Sequence, residues 1–177
     1  MMIRLFCLAL LGLGFVGPGI ATAAEDNVKL SGTLVAEPCV IPPGEENVRL
    51  EFGTVVDKYL YANQRTKSQP FTIHLTECDP DIAGTVSVTF AGTPSPTLPG
   101  LLALDAGSGA TGVAIGLETP DGKLLRLGQV TAAVPLEAGE NQLVYQAYVQ
   151  GEPEAIANRN IGRGEFTATA NFSLNYE

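Results

Sequence analysis

No tryptophan occurs in this chain, and its single histidine, His74, stands far along the sequence from Cys7 and Cys39. The first absence argues against an antibody-type domain, which packs a tryptophan beside its disulfide. The second matters because only Cys39 and Cys78 lie beyond the N-terminal apolar run, and two cysteines with one imidazole do not complete a zinc coordination set. No G-x-S-x-G nucleophile elbow appears, and no pair of carboxylates is marked out for glycoside hydrolysis. Asp79-Pro80-Asp81 brings two carboxylates close together but lacks the further ligands of a calcium loop, so it reads as a turn. Enzymatic activity and a bound cofactor are therefore not expected. Positive charge is also scarce, with ten Lys and Arg against nineteen Asp and Glu and a net charge of −9. Nucleic acid and anionic lipid would be repelled by such a chain.

Only one segment is strongly apolar, and it stands at the N-terminus. Arg4 precedes the run Leu5 to Val16, and small residues lead to Ala21-Thr22-Ala23. This reads as a secretory signal peptide over residues 1–23, cut before Ala24. The alternative, an uncleaved membrane anchor, is disfavoured by Gly12, Gly14, Gly17, Pro18 and Gly19, which break the run short of about 18 residues. No membrane span is expected in the mature chain. Cys7 leaves with the leader. Cys39 and Cys78 remain, and an exported chain with an even cysteine count suggests one disulfide. Two buried thiols are the alternative.

What the sequence has in abundance is period-2 alternation. Phe166, Ala168, Ala170, Phe172, Leu174 and Tyr176 are apolar, and polar residues stand between them. That pattern marks a strand with one buried face. It runs to the penultimate residue, and no further strand follows to pair with it. Val28 to Val35 and Thr85 to Phe90 also alternate. Phe71, Ile73 and Leu75 form one face of another strand, with His74 facing outward. Val48 to Phe52, Val113 to Leu117, Leu124 to Leu127 and Leu143 to Val149 complete the set, and Thr119-Pro120-Asp121-Gly122 supplies hairpin chemistry. Gly92 to Gly100 holds three prolines and reads as a loop. Glu154 to Asn158 fits one helical turn, and no helix of three turns is visible. Many short strands between Pro/Gly turns predict an all-β sandwich or barrel of antiparallel sheets.

Taken together, the two ends resemble the pilin subunits of chaperone–usher pili, such as those of type 1 and P pili. An N-terminal stretch with Val28, Leu30, Gly32 and Leu34 in alternation leads to Pro38-Cys39, with a partner cysteine at Cys78. Gly164 is fourteenth from the C-terminus and Tyr176 is penultimate, with alternating apolar residues between them. The resemblance spans the whole mature chain. It implies an incomplete immunoglobulin-like β-sandwich that lacks its C-terminal, seventh strand. It divides the chain into a leader (1–23), an N-terminal extension acting as donor strand (24–37) and a pilin domain (38–177). The missing strand would leave a groove beside Gly164, Phe166, Ala168, Ala170, Phe172, Leu174 and Tyr176. A periplasmic chaperone would fill it first, with the carboxylate of Glu177 docked on basic residues of that chaperone. At an outer-membrane usher the extension of a neighbouring pilin subunit, here Val28, Leu30, Gly32 and Leu34, would replace the chaperone's strand. The product is a cell-surface pilus.

Ala24 to Cys39 is shorter than the extensions of rod-forming subunits, which resembles minor or tip-adaptor subunits more. A competing reading is a secreted carbohydrate-binding β-sandwich module. It needs a complete sheet and a patch of exposed aromatics, for which Tyr59, Tyr61, Tyr145 and Tyr148 are the candidates.

Overall fold

Alternating apolar residues become ladders wherever a partner strand is within reach. A computed structural model describes residues 28–177, and the leader read over residues 1–23 lies outside them. The chain divides between Val35 and Ala36 into two units. In the described part of the first, Val28 to Val35 has no regular secondary structure, and Val28, Leu30 and Leu34 are 77%, 90% and 100% exposed. The alternation there predicted a strand. A strand without a ladder has nothing to hold it extended.

The second unit, residues 36–177, is all-β with two antiparallel sheets. Its elements run α1 (Asp57–Asn63), β1 (Gln69–Cys78), β2 (Thr85–Gly92), β3 (Val113–Glu118), β4 (Leu124–Leu125), β5 (Val134–Pro135), β6 (Gly139–Gly151), α2 (Pro153–Ala157) and β7 (Ala170–Tyr176). One sheet has the order β1-β6-β3-β4 and the other β5-β2-β7. Their inner faces meet through Ile73 and Leu75 of β1, Val86, Val88 and Phe90 of β2, Ile115 and Leu117 of β3, and Leu143, Tyr145 and Val149 of β6, all buried. These are the inward phases that alternation predicts. Phe71, Phe90 and Tyr145 join the two sheets, with Phe90 edge-on to both of the other rings at centroid distances of 6.2 and 5.1 Å. Edge-to-face pairs of this kind contribute about 0.5–1.5 kcal/mol beyond their buried area.

Strand β3 is buried on both faces. Its outer face lies under Tyr148 of β6, and Leu98, Leu101 and Leu124 close a small second core there. Gly116 makes this possible, because a Cβ at that position would fall 2.1 Å from the Tyr148 ring. The Arg65 guanidinium lies over the Tyr148 ring, 3.9 Å from its centroid. Arg65 also donates two hydrogen bonds to the buried carboxylate of Glu118, at 2.8 and 3.2 Å, and Ser68 Oγ donates to the same group. Burial pushes the Glu118 carboxyl up, but hydrogen bonds from Arg65 and Ser68 outweigh it and hold the group below its ordinary value of 4.5.

Cys39 and Cys78 form a disulfide. It ties the start of the domain to the end of β1, where Val40 and Thr76 exchange backbone hydrogen bonds of 2.8 Å. Closing a loop of this size contributes about 2–4 kcal/mol. One more expectation is corrected, and one element is new. Val48 to Phe52 is not a strand: it carries the pattern but has no strand pairing, although Leu50 and Phe52 pack on the core. Asp57–Asn63 forms a two-turn helix that the sequence did not announce. Only Leu60 of its seven residues is buried, too few to show a 3.6-residue period.

A depressed carboxyl pKa adds stability above the unfolded value, and that contribution is lost as pH falls through the folded one. Wild-type protein should therefore lose stability in thermal melts taken below about pH 4.5. Arg65→Met, which leaves the buried Glu118 charge unpaired, should cost about 2–4 kcal/mol at pH 7. Because protonation would relieve that unpaired charge, the deficit of the variant should shrink in acid. An equal deficit at pH 7 and pH 4 would contradict this assignment.

Candidate functional site: the open edge of strand β7

Antiparallel pairing alternates the direction in which successive residues aim their backbone groups. In β7 this divides the strand into two sets. Thr85 and Glu177 exchange hydrogen bonds of 3.0 and 3.1 Å, which sets the phase for the ladder Ser87–Asn175, Thr89–Ser173 and Ala91–Asn171. The odd-numbered residues thus spend their amides on β2. Upstream the same set continues on the loop before β3. Asp105 donates its backbone N–H to the Thr167 carbonyl at 2.8 Å and Gly109 donates to the Glu165 carbonyl at 2.8 Å. Thr169 donates its N–H to Asp105 Oδ1 at 3.1 Å and its hydroxyl to Asp105 Oδ2 at 2.8 Å.

The even-numbered residues aim the other way. Ala170, Phe172, Leu174 and Tyr176 present their N–H and C=O groups to the side opposite β2, and among the described residues no strand pairs with that side. Their side chains, with those of Phe166 and Ala168, point to the core but are only half-buried. The face that alternation assigns to the interior is therefore left partly open. Burial, and secondarily the Glu37 carboxylate, hold the Tyr176 phenol above its ordinary value of 10.0.

The opposite bank is the run from Val40 to Val55. Val40 pairs with Thr76, and the Phe52 carbonyl accepts a hydrogen bond from Gln69 Nε2 at 3.5 Å, so the run follows the outer margin of β1. The rings of Phe52 and Phe166 stand 6.3 Å apart and join the two banks. At the Gly164 end lies a cavity of about 190 Å³ with Val55, Leu60, Val113, Val149, Ile161 and Phe166 among its lining. Gly164 itself is held tightly, since a Cβ there would fall 2.6 Å from the Gly109 carbonyl carbon.

The residues singled out in the sequence fall as follows. Phe166, Ala168, Ala170, Phe172, Leu174 and Tyr176 share one half-buried face, and Gly164 stands at its head. Val28, Leu30, Gly32 and Leu34 lie in the other unit and carry no strand. Cys39 and Cys78 are bonded to each other. His74 is exposed and pairs with Glu45 Oε2 at 2.6 Å. Asp79 Oδ1 accepts the Asp81 N–H at 3.0 Å, a turn as expected, and no metal-binding cluster occurs among the described residues. Tyr145 and Tyr148 are both buried, so the exposed aromatic patch loses two of its four members. Sequence reasoning missed Asp57 and Arg163, which meet near the cavity: Arg163 Nε and Nη2 donate to Asp57 Oδ2 at 2.9 and 2.6 Å. They are 106 residues apart, and no local pattern links them.

A substitution that enlarges residue 164 should force the Glu165 to Thr169 run off its brace. Gly164→Val is expected to lower the melting temperature by several degrees, in line with overpacking costs of about 1–3 kcal/mol. An unchanged melt would show that Gly109 yields freely.

Comparison with known proteins agrees with this architecture. The family model described as "Fimbrial protein" matches residues 28–177. The chain is 35% identical to the major MR/P fimbria protein of Proteus mirabilis, over 94% of this chain and 95% of that protein. It is 30% identical to the fimbrial adapter PapK of Escherichia coli, over 95% and 96%. A solved chaperone–usher pilus structure superposes with a TM-score of 0.68 at 29% identity, covering 87% of this chain and 96% of that one. Matches of that extent, on a two-sheet fold closed by the Cys39–Cys78 disulfide, establish that the chain belongs to the fimbrial protein family, as a subunit of cell-surface pili of the chaperone–usher class.

Proposed function

We propose that this chain is a structural pilus subunit that polymerises by donor-strand exchange, with no catalytic step and no cofactor. The observation that carries the reading is the unpartnered edge of β7, where open backbone groups and half-buried apolar side chains belong to the same residues. Such an edge invites another strand. In this reading the sandwich is an immunoglobulin-like one missing its seventh strand, and Phe166, Ala168, Ala170, Phe172, Leu174 and Tyr176 line the vacant place.

The donor is the extension of a neighbouring subunit, residues 24–37, released by cleavage of the leader at residues 1–23 and preceding the pilin domain at 38–177. Its Val28, Leu30 and Leu34 are exposed in this chain, and each gains about 1.5–3 kcal/mol on full burial. Gly32 lets the added backbone approach closely at one point. Before assembly a periplasmic chaperone covers the edge, with Glu177 as its anchor, and an outer-membrane usher hosts the exchange. An uncovered edge of this kind is an aggregation hazard, which is the physical reason for a dedicated chaperone.

The short stretch from Ala24 to Cys39 and the likeness to an adapter protein support a minor or tip-adaptor position. The higher identity to a major fimbria protein favours a place in the rod. The two differ in self-assembly. A rod subunit released from its chaperone forms long ladders of its own copies, and an adaptor accepts its own extension more slowly and forms short ones.

The test is to join a second copy of Glu25 to Glu37 after Glu177 through a flexible linker and compare melts with the plain mature chain. The added strand should yield a monomer that melts tens of degrees higher, because a whole core strand is supplied. Leu30→Asp in the added copy should remove most of that gain. Two equally stable monomers would mean the fold is already complete, and assembly by strand addition at β7 would fail as the reading.

A further inference from the structure

The cavity at the Gly164 end of the β7 edge has an apolar floor and a charged rim. Leu60, Val113 and Val149 at its base are buried to within a few per cent. Asp57 and Arg163 line the same cavity, the Arg163 side chain 81% exposed and that of Asp57 14%. Both guanidinium hydrogen bonds land on one oxygen, Asp57 Oδ2. The pair joins α1 to the run that leads into β7. One other direct tie holds these two pieces: Ile161 donates its N–H to Tyr61 Oη at 3.2 Å.

The surroundings fix both ends of this bridge but not its middle. Asp57 sits on a helix anchored by Leu60, and Arg163 is next to Gly164, which is packed on the Gly109 backbone. The walls cannot part far without unseating one of these. The Arg163 side chain, by contrast, is long and solvated, and it can swing clear when its hydrogen bonds break. An apolar side chain that reaches the floor from solvent has to pass the lining, and Arg163 is a solvent-exposed charged member of it.

We infer that the Asp57–Arg163 ion pair is a latch over the cavity, and that its opening is part of the barrier to strand capture at the β7 edge. This rests on the strand-addition reading above and adds a rate-setting residue to it. Arg163 acts as a positioning residue whose charge, rather than its bulk, sets how quickly an incoming apolar side chain seats. An ion pair whose guanidinium stands in solvent is weak and screened by salt, so the latch tunes the rate of capture and is not a block.

The test uses the mature chain as its chaperone complex and a fluorescent peptide of residues 24–37, with capture followed in time. Arg163→Gln should speed capture about two- to fivefold at low ionic strength, the range open to such a pair. Wild-type capture should accelerate as salt rises, and the variant should respond less. Arg163→Lys, which keeps the charge, should return the rate toward wild type. Tyr61→Phe, which removes the neutral tie, should leave the salt dependence as in wild type. Equal rates and equal salt responses for wild type and Arg163→Gln would overturn the latch while leaving strand addition standing. Failure of every variant to capture the peptide, with wild type included, would overturn the strand-addition reading and the latch with it.

Discussion

A β-strand has two hydrogen-bonding edges, and β7 has a partner on one of them. Everything distinctive about the domain follows from that asymmetry. The odd-numbered residues from Glu165 to Glu177 are held by β2 and by the loop around Asp105 and Gly109. The even-numbered residues are left with open amides and with apolar side chains that reach the core without being covered. Backbone groups left unpaired away from water are costly, so this edge is stable only while water or another strand reaches it. The proposed exchange between subunits is the same chemistry with a donor strand in place of water.

The rest of the domain is built to be firm around that edge. Strand β3 is covered on both faces, the inner by the main core and the outer by Tyr148 and the Leu98–Leu101 loop. The Arg65–Glu118 pair clamps the segment leading into β1 to the end of β3. The disulfide fixes the point where the chain enters the domain. The opposite sheet edge is blunted, since β5 is two residues long and ends in Pro135. Short, proline-bearing edges discourage unwanted pairing. The two edges of the β5-β2-β7 sheet are thus unlike, one closed to further strands and one long and open.

Much of this could be read from the residues. The inward phases of β1, β2 and β7 follow from alternation at Phe71-Ile73-Leu75, Val86-Val88-Phe90 and Phe172-Leu174-Tyr176, because a strand's side chains have no choice but to alternate. The fold class follows from the number of such runs. What could not be read depends on partners distant in sequence. Val48 to Phe52 and Val28 to Val35 carry strand patterns, but a pattern does not supply a neighbour. Tyr145 and Tyr148 point to opposite faces, yet both are buried because the loop around Leu98 and Leu101 covers the second face. The Glu118 carboxylate and the Asp57–Arg163 pair each depend on residues more than fifty positions away.

The most direct test is residue-resolved hydrogen exchange along β7 of the mature chain, alone and with a donor strand bound. The account predicts alternation in the free chain: amides of Asn171, Ser173 and Asn175 protected, those of Phe172, Leu174 and Tyr176 exchanging rapidly. It also predicts that the second set becomes protected when the strand is added. Uniform protection of all six amides in the free chain would contradict it, because β7 would then already have two neighbours.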